Sequence, residues 1–188
     1  MFIDNSQLVI PRKSHIEIGQ IYFWTATVNQ WIKLLEPDNF KNVIIDSLAY
    51  LSRLNKIDVF AFVIMPNHIH IIWRINEMNG KEMPHASFLK FTAHQFKKML
   101  ISTNPNLLVK FAVAADNKKY EFWQADSLAI QLFSEKVARQ KLNYIHNNPL
   151  AERWLLAKDI FQYHYSSANF YETKNTKFEF LKNLWDVF

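Results

Sequence analysis

The sequence predicts an α+β domain built on an antiparallel sheet. Three observations lead there: short segments dense in aromatic and β-branched residues, helical three-and-four apolar spacing in the stretches between and after them, and Pro or Asn at the joints. Residues 21–28, Ile-Tyr-Phe-Trp-Thr-Ala-Thr-Val, form the first predicted strand. Pro37-Asp38 opens a helix over about 38–55, with Phe40, Val43, Ile44, Leu48, Leu51 and Leu54 on one side. Residues 57–65 read as the second strand. Met65-Pro66-Asn67 makes a turn, because proline cannot continue a central ladder, and 68–75 is the third strand and hairpin partner of the second. A second helix is expected over 86–101, with Leu89, Ala93, Phe96 and Leu100 as its apolar stripe and Lys90, His94, Lys97 and Lys98 on a neighbouring face. Residues 107–115 and 118–123 read as two strands around an Asp116-Asn117 turn. A third helix runs from Ser134, a good N-cap, to about Asn147, and Pro149 ends it. The tail from Trp154 is aromatic and mixed, with a last helix expected at 176–186.

In chain order these elements make β-α-β-β-α-β, the ferredoxin-like arrangement, with helices on one face of the sheet and a further helix appended. Such a sheet leaves its other face free for a substrate. Neither a repeat nor a long linker divides the chain, so residues 1–188 are read as one domain.

Composition excludes several function classes. The 188 residues contain no cysteine, which removes disulfides, Cys-ligated zinc, iron–sulfur clusters and a thiol nucleophile. Gly19 and Gly80 are the only glycines, too few for a Gly-rich phosphate loop, so no nucleotide cofactor is expected. The longest apolar run, 59–65, falls far short of the about 20 residues of a membrane span, and Met1 to Asn5 do not begin a signal peptide. A soluble, cytoplasmic protein with no membrane association is therefore expected. The net charge of +5 is concentrated in residues 81–119, where seven lysines face only Glu82 and Asp116. A local excess of that kind suits a polyanion, although a Lys-rich solvated surface has the same composition.

Two motifs carry chemistry. In Pro66-Asn67-His68-Ile69-His70-Ile71-Ile72-Trp73-Arg74, strand alternation puts His68, His70, Ile72 and Arg74 on one face and the apolar Ile69, Ile71 and Trp73 on the other. Two imidazoles two residues apart on a strand can reach one cation, with a further ligand from elsewhere. Such pairs also occur in exposed strands without a metal. In Lys141-Leu142-Asn143-Tyr144-Ile145-His146-Asn147-Asn148-Pro149, the helical stripe is Ala138, Leu142 and Ile145, while Gln140, Tyr144 and Asn148 recur on a separate polar side. Taken alone, Tyr144 reads as an ordinary amphipathic tyrosine whose hydroxyl finds some partner.

Met-Pro-Asn-His-Ile-His at 65–70 followed by Tyr-Ile-His-Asn-Asn-Pro at 144–149 resembles the REP-associated tyrosine transposases, members of the single-tyrosine HUH superfamily of transposases and nucleases. Phe122-Trp123-Gln124 and Tyr165-Ser166-Ser167-Ala168 are also similar, and the resemblance covers about 20–171. It implies that His68 and His70 bind a divalent metal, Mg²⁺ or Mn²⁺, and that Tyr144 attacks a DNA phosphate to leave a 5′-phosphotyrosine and a free 3′-OH. In related transposases a Gln four residues after the tyrosine completes the metal site, and Asn148 stands there in this chain. The resemblance further implies single-stranded or hairpin DNA as partner and either a monomer or a homodimer with exchanged tyrosine helices.

A neutral phenol is a weak nucleophile near pH 7 until a base or cation favours its phenolate, which suits a metal beside the tyrosine. Imidazole ligands suit Mn²⁺ or Zn²⁺ better than Mg²⁺. Lys90, Lys97, Lys98, Lys118 and Lys119, with Arg74 on the histidine face, are the candidates for DNA contact. Three other readings compete: a domesticated, catalytically silent DNA-binding protein of the same fold, an RNA-binding sheet, and a metal-dependent hydrolase that uses water. Tyr163, Tyr165 and Tyr171 are read as packing residues.

Overall fold

A computed structural model describes residues 15–115, 118–125, 127–173 and 177–188. Its main sheet has four strands: β1 (Ile21–Thr27), β2 (Ile57–Met65), β3 (His68–Ile75) and a strand at the far edge, β6 (Leu128–Gln131). They lie in the order β2-β3-β1-β6, with every neighbouring pair antiparallel. This is the predicted ferredoxin-like order. Between β3 and β6 the chain forms α2 (Pro84–Thr103), a short α3 (Pro105–Val109), and a separate two-stranded ribbon of β4 (Ala112–Ala115) and β5 (Lys118–Tyr120).

Alternation divides the sheet into two faces. Tyr22, Trp24, Ala26, Ile69, Ile71 and Trp73 point into the larger core, where α1 (Asp38–Arg53) contributes Phe40, Ile44 and Leu48 and α2 contributes Phe88, Phe96 and Leu100. Phe23, Ile72, Val63 and Met65 point the other way. There they meet Ala138, Leu142 and Ile145 of α4 (Glu135–Asn147), whose first turn is capped by Ser134 Oγ accepting from Val137 N–H. The second face is therefore covered by α4 rather than left open for substrate. A bulge between Val59 and Ala61 puts Phe60 and Ala61 together on this side.

Three expected elements differ. Residues 107–115 are not one strand: Asn104 caps a helical turn by accepting from Leu107 N–H, and Pro105 suits its first position, so only Ala112–Ala115 remain extended. The fourth strand of the main sheet is β6, not part of 107–123, because Phe111, Phe122 and Trp123 are drawn into the core. The Asp116-Asn117 turn lies outside the described residues.

No helix forms over the described part of 176–186 beyond a single 3₁₀ turn, Leu184–Asp186. That stretch bonds instead to the sheet edge, with Lys182 N–H donating to Val59 O at 2.9 Å. Tyr165 and Ser167 bond to the same strand through Ile64 and Phe62, so the tail covers the exposed edge of β2. Among the described residues no helix is long and apolar enough to cross a membrane.

Candidate functional site

His68 and His70 sit on β3 on the face under α4, both buried, with ring centroids 4.8 Å apart. Pairing with β1 sets Thr25 opposite His70 and Thr27 opposite His68. Thr25 Oγ1 lies 2.8 Å from His70 Nδ1, so an Nδ1 proton given to the hydroxyl leaves the Nε2 lone pair available. His68 is set by its neighbour. Asn67 Nδ2 donates to Trp31 O at 3.1 Å, which turns the amide oxygen toward His68 Nδ1 at 2.8 Å. That oxygen only accepts, so the His68 proton is on Nδ1 and Nε2 is again the free nitrogen.

Burial pushes His68 down to about 4, with repulsion from Arg153 adding to it and the Asn148 side chain opposing it. His70 is driven down to about 3 by burial and by the nearby His68, Arg153 and Lys141. Both imidazoles are thus neutral near pH 7, the state a metal ligand needs.

Tyr144 approaches from α4. Its ring centroid is 5.1 Å from that of His70 and 5.9 Å from that of Phe23, and the residue is 45% exposed. Phe23 also stacks on His70 at 5.2 Å and lies under Lys141 Nζ at 4.9 Å, so one β1 side chain is shared by all three. Asn148, one turn beyond Tyr144 where Pro149 breaks the helix, is buried beside His68. A single chain brings His68, His70, Tyr144 and Asn148 together.

Among the described residues two buried acceptors here, His70 Nε2 and Asn148 Oδ1, have no hydrogen-bond partner, and the Trp154 Nε1 donor nearby also has none. Both acceptors can offer a lone pair, so two imidazole nitrogens and an amide oxygen form a donor set that fits a divalent cation. Among the described residues no group of three His, Cys, Asp or Glu side chains gathers to hold a metal ion, and the set here reaches three donors only through the Asn148 amide.

The cationic candidates are scattered. Lys97 and Lys119 both reach the Tyr120 ring, at 5.5 and 5.8 Å, which gathers α2 and the ribbon into one basic and aromatic spot. Lys90 pairs with Glu82 at 2.8 Å, and Lys118 pairs with Glu121. Among the described residues Lys98 forms no ion pair or cation–π contact with either group. Arg74 lies on the histidine face, but at the far end of β3, where the buried Asp58 holds its guanidinium at 2.6 Å. Lys182 binds the same carboxylate. Burial raises the Asp58 pKa, yet the hydrogen bonds from Lys182 and Arg74 leave it below its ordinary value. Arg74 is thereby a structural ion-pair partner.

Sequence reasoning did not single out Lys141, Arg153, Thr25, Trp31 or Trp154 at this site. Lys141 was open to it, being one helical turn before Tyr144. The others come from separate segments that only the fold assembles. The downstream tyrosines do pack, since Tyr163 donates to Ile64 O at 2.7 Å and Tyr171 to Phe60 O at 2.8 Å.

No family model matches the sequence, and no curated protein is significantly similar to it. Among solved structures, the chain is similar to a REP-associated tyrosine transposase bound to a REP hairpin, at 19% identity and a TM-score of 0.58, over 83% of this chain and 81% of that one. A Deinococcus radiodurans R1 protein described as a candidate transposase aligns at 18% identity and a TM-score of 0.39, over 72% of this chain and 96% of that one, too distant to support an argument. The sheet order, the covering tyrosine helix and this likeness give one conclusion: the chain has the fold of a REP-associated tyrosine transposase.

Proposed function

We propose that this chain is a DNA-nicking and strand-transferring enzyme that uses Tyr144 as nucleophile beside a divalent metal held by His68, His70 and Asn148. The observation that carries the reading is the placement of Tyr144 against His70, next to two buried acceptors that have no hydrogen-bond partner among the described residues. A buried acceptor without a donor costs about 1–3 kcal/mol, a penalty that a ligand would remove.

In the proposed reaction Tyr144 loses its proton and its oxygen bonds to the scissile phosphorus while the P–O3′ bond breaks. The departing O3′ takes a proton, leaving a 3′-OH on one strand and a 5′-phosphotyrosine on the other. A second 3′-OH attacks the same phosphorus and releases the tyrosine, so the phosphodiester is rebuilt without a nucleotide cofactor. When bound, a divalent cation supplies positive charge to the phosphate oxygens. The protein's own part is to hold Tyr144 on a helix packed by Ala138, Leu142 and Ile145, and to set Lys141 and Arg153 beside the histidines, where they attract a phosphate.

The similar transposase is bound to a REP hairpin, and hairpin or single-stranded DNA is the substrate class proposed here. Lys97, Lys119 and Tyr120 offer charge and a stacking surface for a nucleic acid strand.

Labelled hairpins from palindromes flanking the gene, incubated with Mn²⁺ or Mg²⁺, test the proposal beside Tyr144→Phe and His70→Ala. The expected result is a covalent protein–DNA adduct lost in both variants. Cleavage surviving in Tyr144→Phe would point to water as the nucleophile. Tight hairpin binding with no adduct under either metal would favour a silent DNA-binding protein.

A further inference from the structure

The turn after β1 presents a large aromatic that the proposed chemistry does not use. In residues 29–31, Gln30 (φ 55°) and Trp31 (φ 57°) both take the left-handed conformation, unusual for consecutive residues other than glycine. The turn is pinned on several sides. Trp31 N–H donates to Val28 O at 3.0 Å, Asn29 N–H to Phe122 O at 2.8 Å, Asn29 Nδ2 to Glu121 O at 3.2 Å, and Asn67 Nδ2 to Trp31 O at 3.1 Å. Backbone strain held this firmly marks a placement worth explaining. What it places is a tryptophan that is 57% exposed as a residue, with its ring centroid 6.4 Å from that of His68. Trp154 also contacts His68, at 5.8 Å, and carries the Arg153 guanidinium 5.8 Å from its own ring.

We propose that Trp31 is a stacking platform for an unpaired nucleobase adjoining the phosphate that Tyr144 attacks. The inference rests on the reading of Tyr144 and the two histidines as a DNA-cleaving site. A lone exposed aromatic is unremarkable on a protein surface. This one is fixed by strained backbone, touches a proposed metal ligand, and has cations close by: Arg153 at the Trp154 ring that contacts His68, and Lys141 over the Phe23 ring that stacks on His70. An aromatic face next to cations is the surface that accepts single-stranded nucleic acid, because every base has a π face and every phosphate a negative charge. Bases in a duplex are already stacked on one another, so the ligand is an unpaired nucleotide. Asn67 joins the two functions: the amide that binds the Trp31 carbonyl also sets the His68 tautomer.

The test measures binding of hairpins drawn from the palindromes flanking the gene, each keeping its single-stranded flanks, to wild type, Trp31→Ala and Trp31→Phe. An abasic site is moved through the unpaired positions one at a time. Trp31→Ala is expected to weaken binding of intact DNA roughly 5- to 150-fold, the range for loss of one base–aromatic stack. Trp31→Phe should retain most of the affinity. At one flanking position the abasic site should cost wild type a similar factor and cost Trp31→Ala nothing more.

Unchanged affinity in Trp31→Ala overturns the proposal, as does an abasic penalty equal in both proteins at every position. Cleavage run on the same samples separates this inference from the one beneath it. Cleavage with additive penalties removes only the stacking role. Coupled penalties with no cleavage under Mn²⁺ keep the base site and remove the nuclease.

Discussion

The two faces of the main sheet come from alternate residues of the same strands, yet they are completed in opposite ways. Under α1 and α2, Trp24, Ile71 and Trp73 pack against Phe88 and its neighbours; among the described residues, apart from His85 Nδ1 in the first turn of α2, the unpaired buried atoms on this side are the indole N–H groups of Trp24 and Trp73. Those indole groups are donors and cannot hold a cation. Under α4 the strands present Thr25, His68 and His70, and the unpaired atoms include the acceptors His70 Nε2 and Asn148 Oδ1, with Trp154 Nε1 as a donor nearby. One face is filled for stability, while the other leaves lone pairs uncompensated where a ligand could use them. A shift of one residue along the pleat separates the two tasks.

Substitutions on the first face should change stability and leave the chemistry intact. Trp73→Ala should destabilise the fold by about 3–5 kcal/mol through the cavity it leaves, seen as a lower urea midpoint. Cleavage per folded molecule should stay near the wild-type value, because Trp73 touches none of the four site residues.

Acid provides the next largest effect and acts on the second face. Burial holds His146 down at about 4, against an ordinary value of 6.5. The unfolded chain takes up a proton between those values that the folded chain refuses. The stability is therefore fully present above about pH 6.5 and is lost as pH falls toward about 4, by about 1.4 kcal/mol per pH unit for each such histidine. His68 and His70 add to the loss with the same sign when a chelator is present. Urea unfolding from pH 4 to 7 in chelator should show the slope, and His146→Gln should remove one proton's share of it.

Asn67→Ala sharpens the contrast at a smaller scale. It frees the His68 tautomer without removing a ligand, so half-maximal cleavage should need about 10- to 100-fold more Mn²⁺. An unchanged Mn²⁺ requirement would separate Asn67 from the proposed metal site. The smallest effect belongs to Lys97→Ala. It should weaken hairpin binding a few-fold at low salt and flatten the plot of log affinity against log salt by about one unit.

Much of this arrangement was legible in the sequence wherever local pattern and tertiary role agree. The strands at 21–28, 57–65 and 68–75 are dense in β-branched and aromatic residues, and the helix ending at Pro149 keeps its stripe of Ala138, Leu142 and Ile145 against the sheet. The spacing also placed Tyr144 off that stripe, where the fold turns it toward His70. β6 escaped notice because Leu128–Gln131 is four residues long, with no buried residue and no alternation, and is extended only because β1 pairs with it. The 3₁₀ turn at 29–31 carries no glycine to announce its left-handed backbone, so Trp31 had no signal. Arg74 was placed on the correct face, but its partner Asp58 on β2 and the tail residue Lys182 become neighbours only in the folded chain.

In the proposed reaction Tyr144 itself becomes joined to DNA. Trypsin cutting after Lys141 and Arg153 releases residues 142–153, Leu-Asn-Tyr-Ile-His-Asn-Asn-Pro-Leu-Ala-Glu-Arg, which contain one tyrosine. Mass spectrometry of the trapped adduct, digested with nuclease and trypsin, is therefore unambiguous about the attachment site. The expected product is a nucleotide joined through its 5′-phosphate to this peptide at Tyr144. A nucleotide on a peptide containing Tyr163, Tyr165 or Tyr171, or cleaved DNA with no modified peptide, would contradict it.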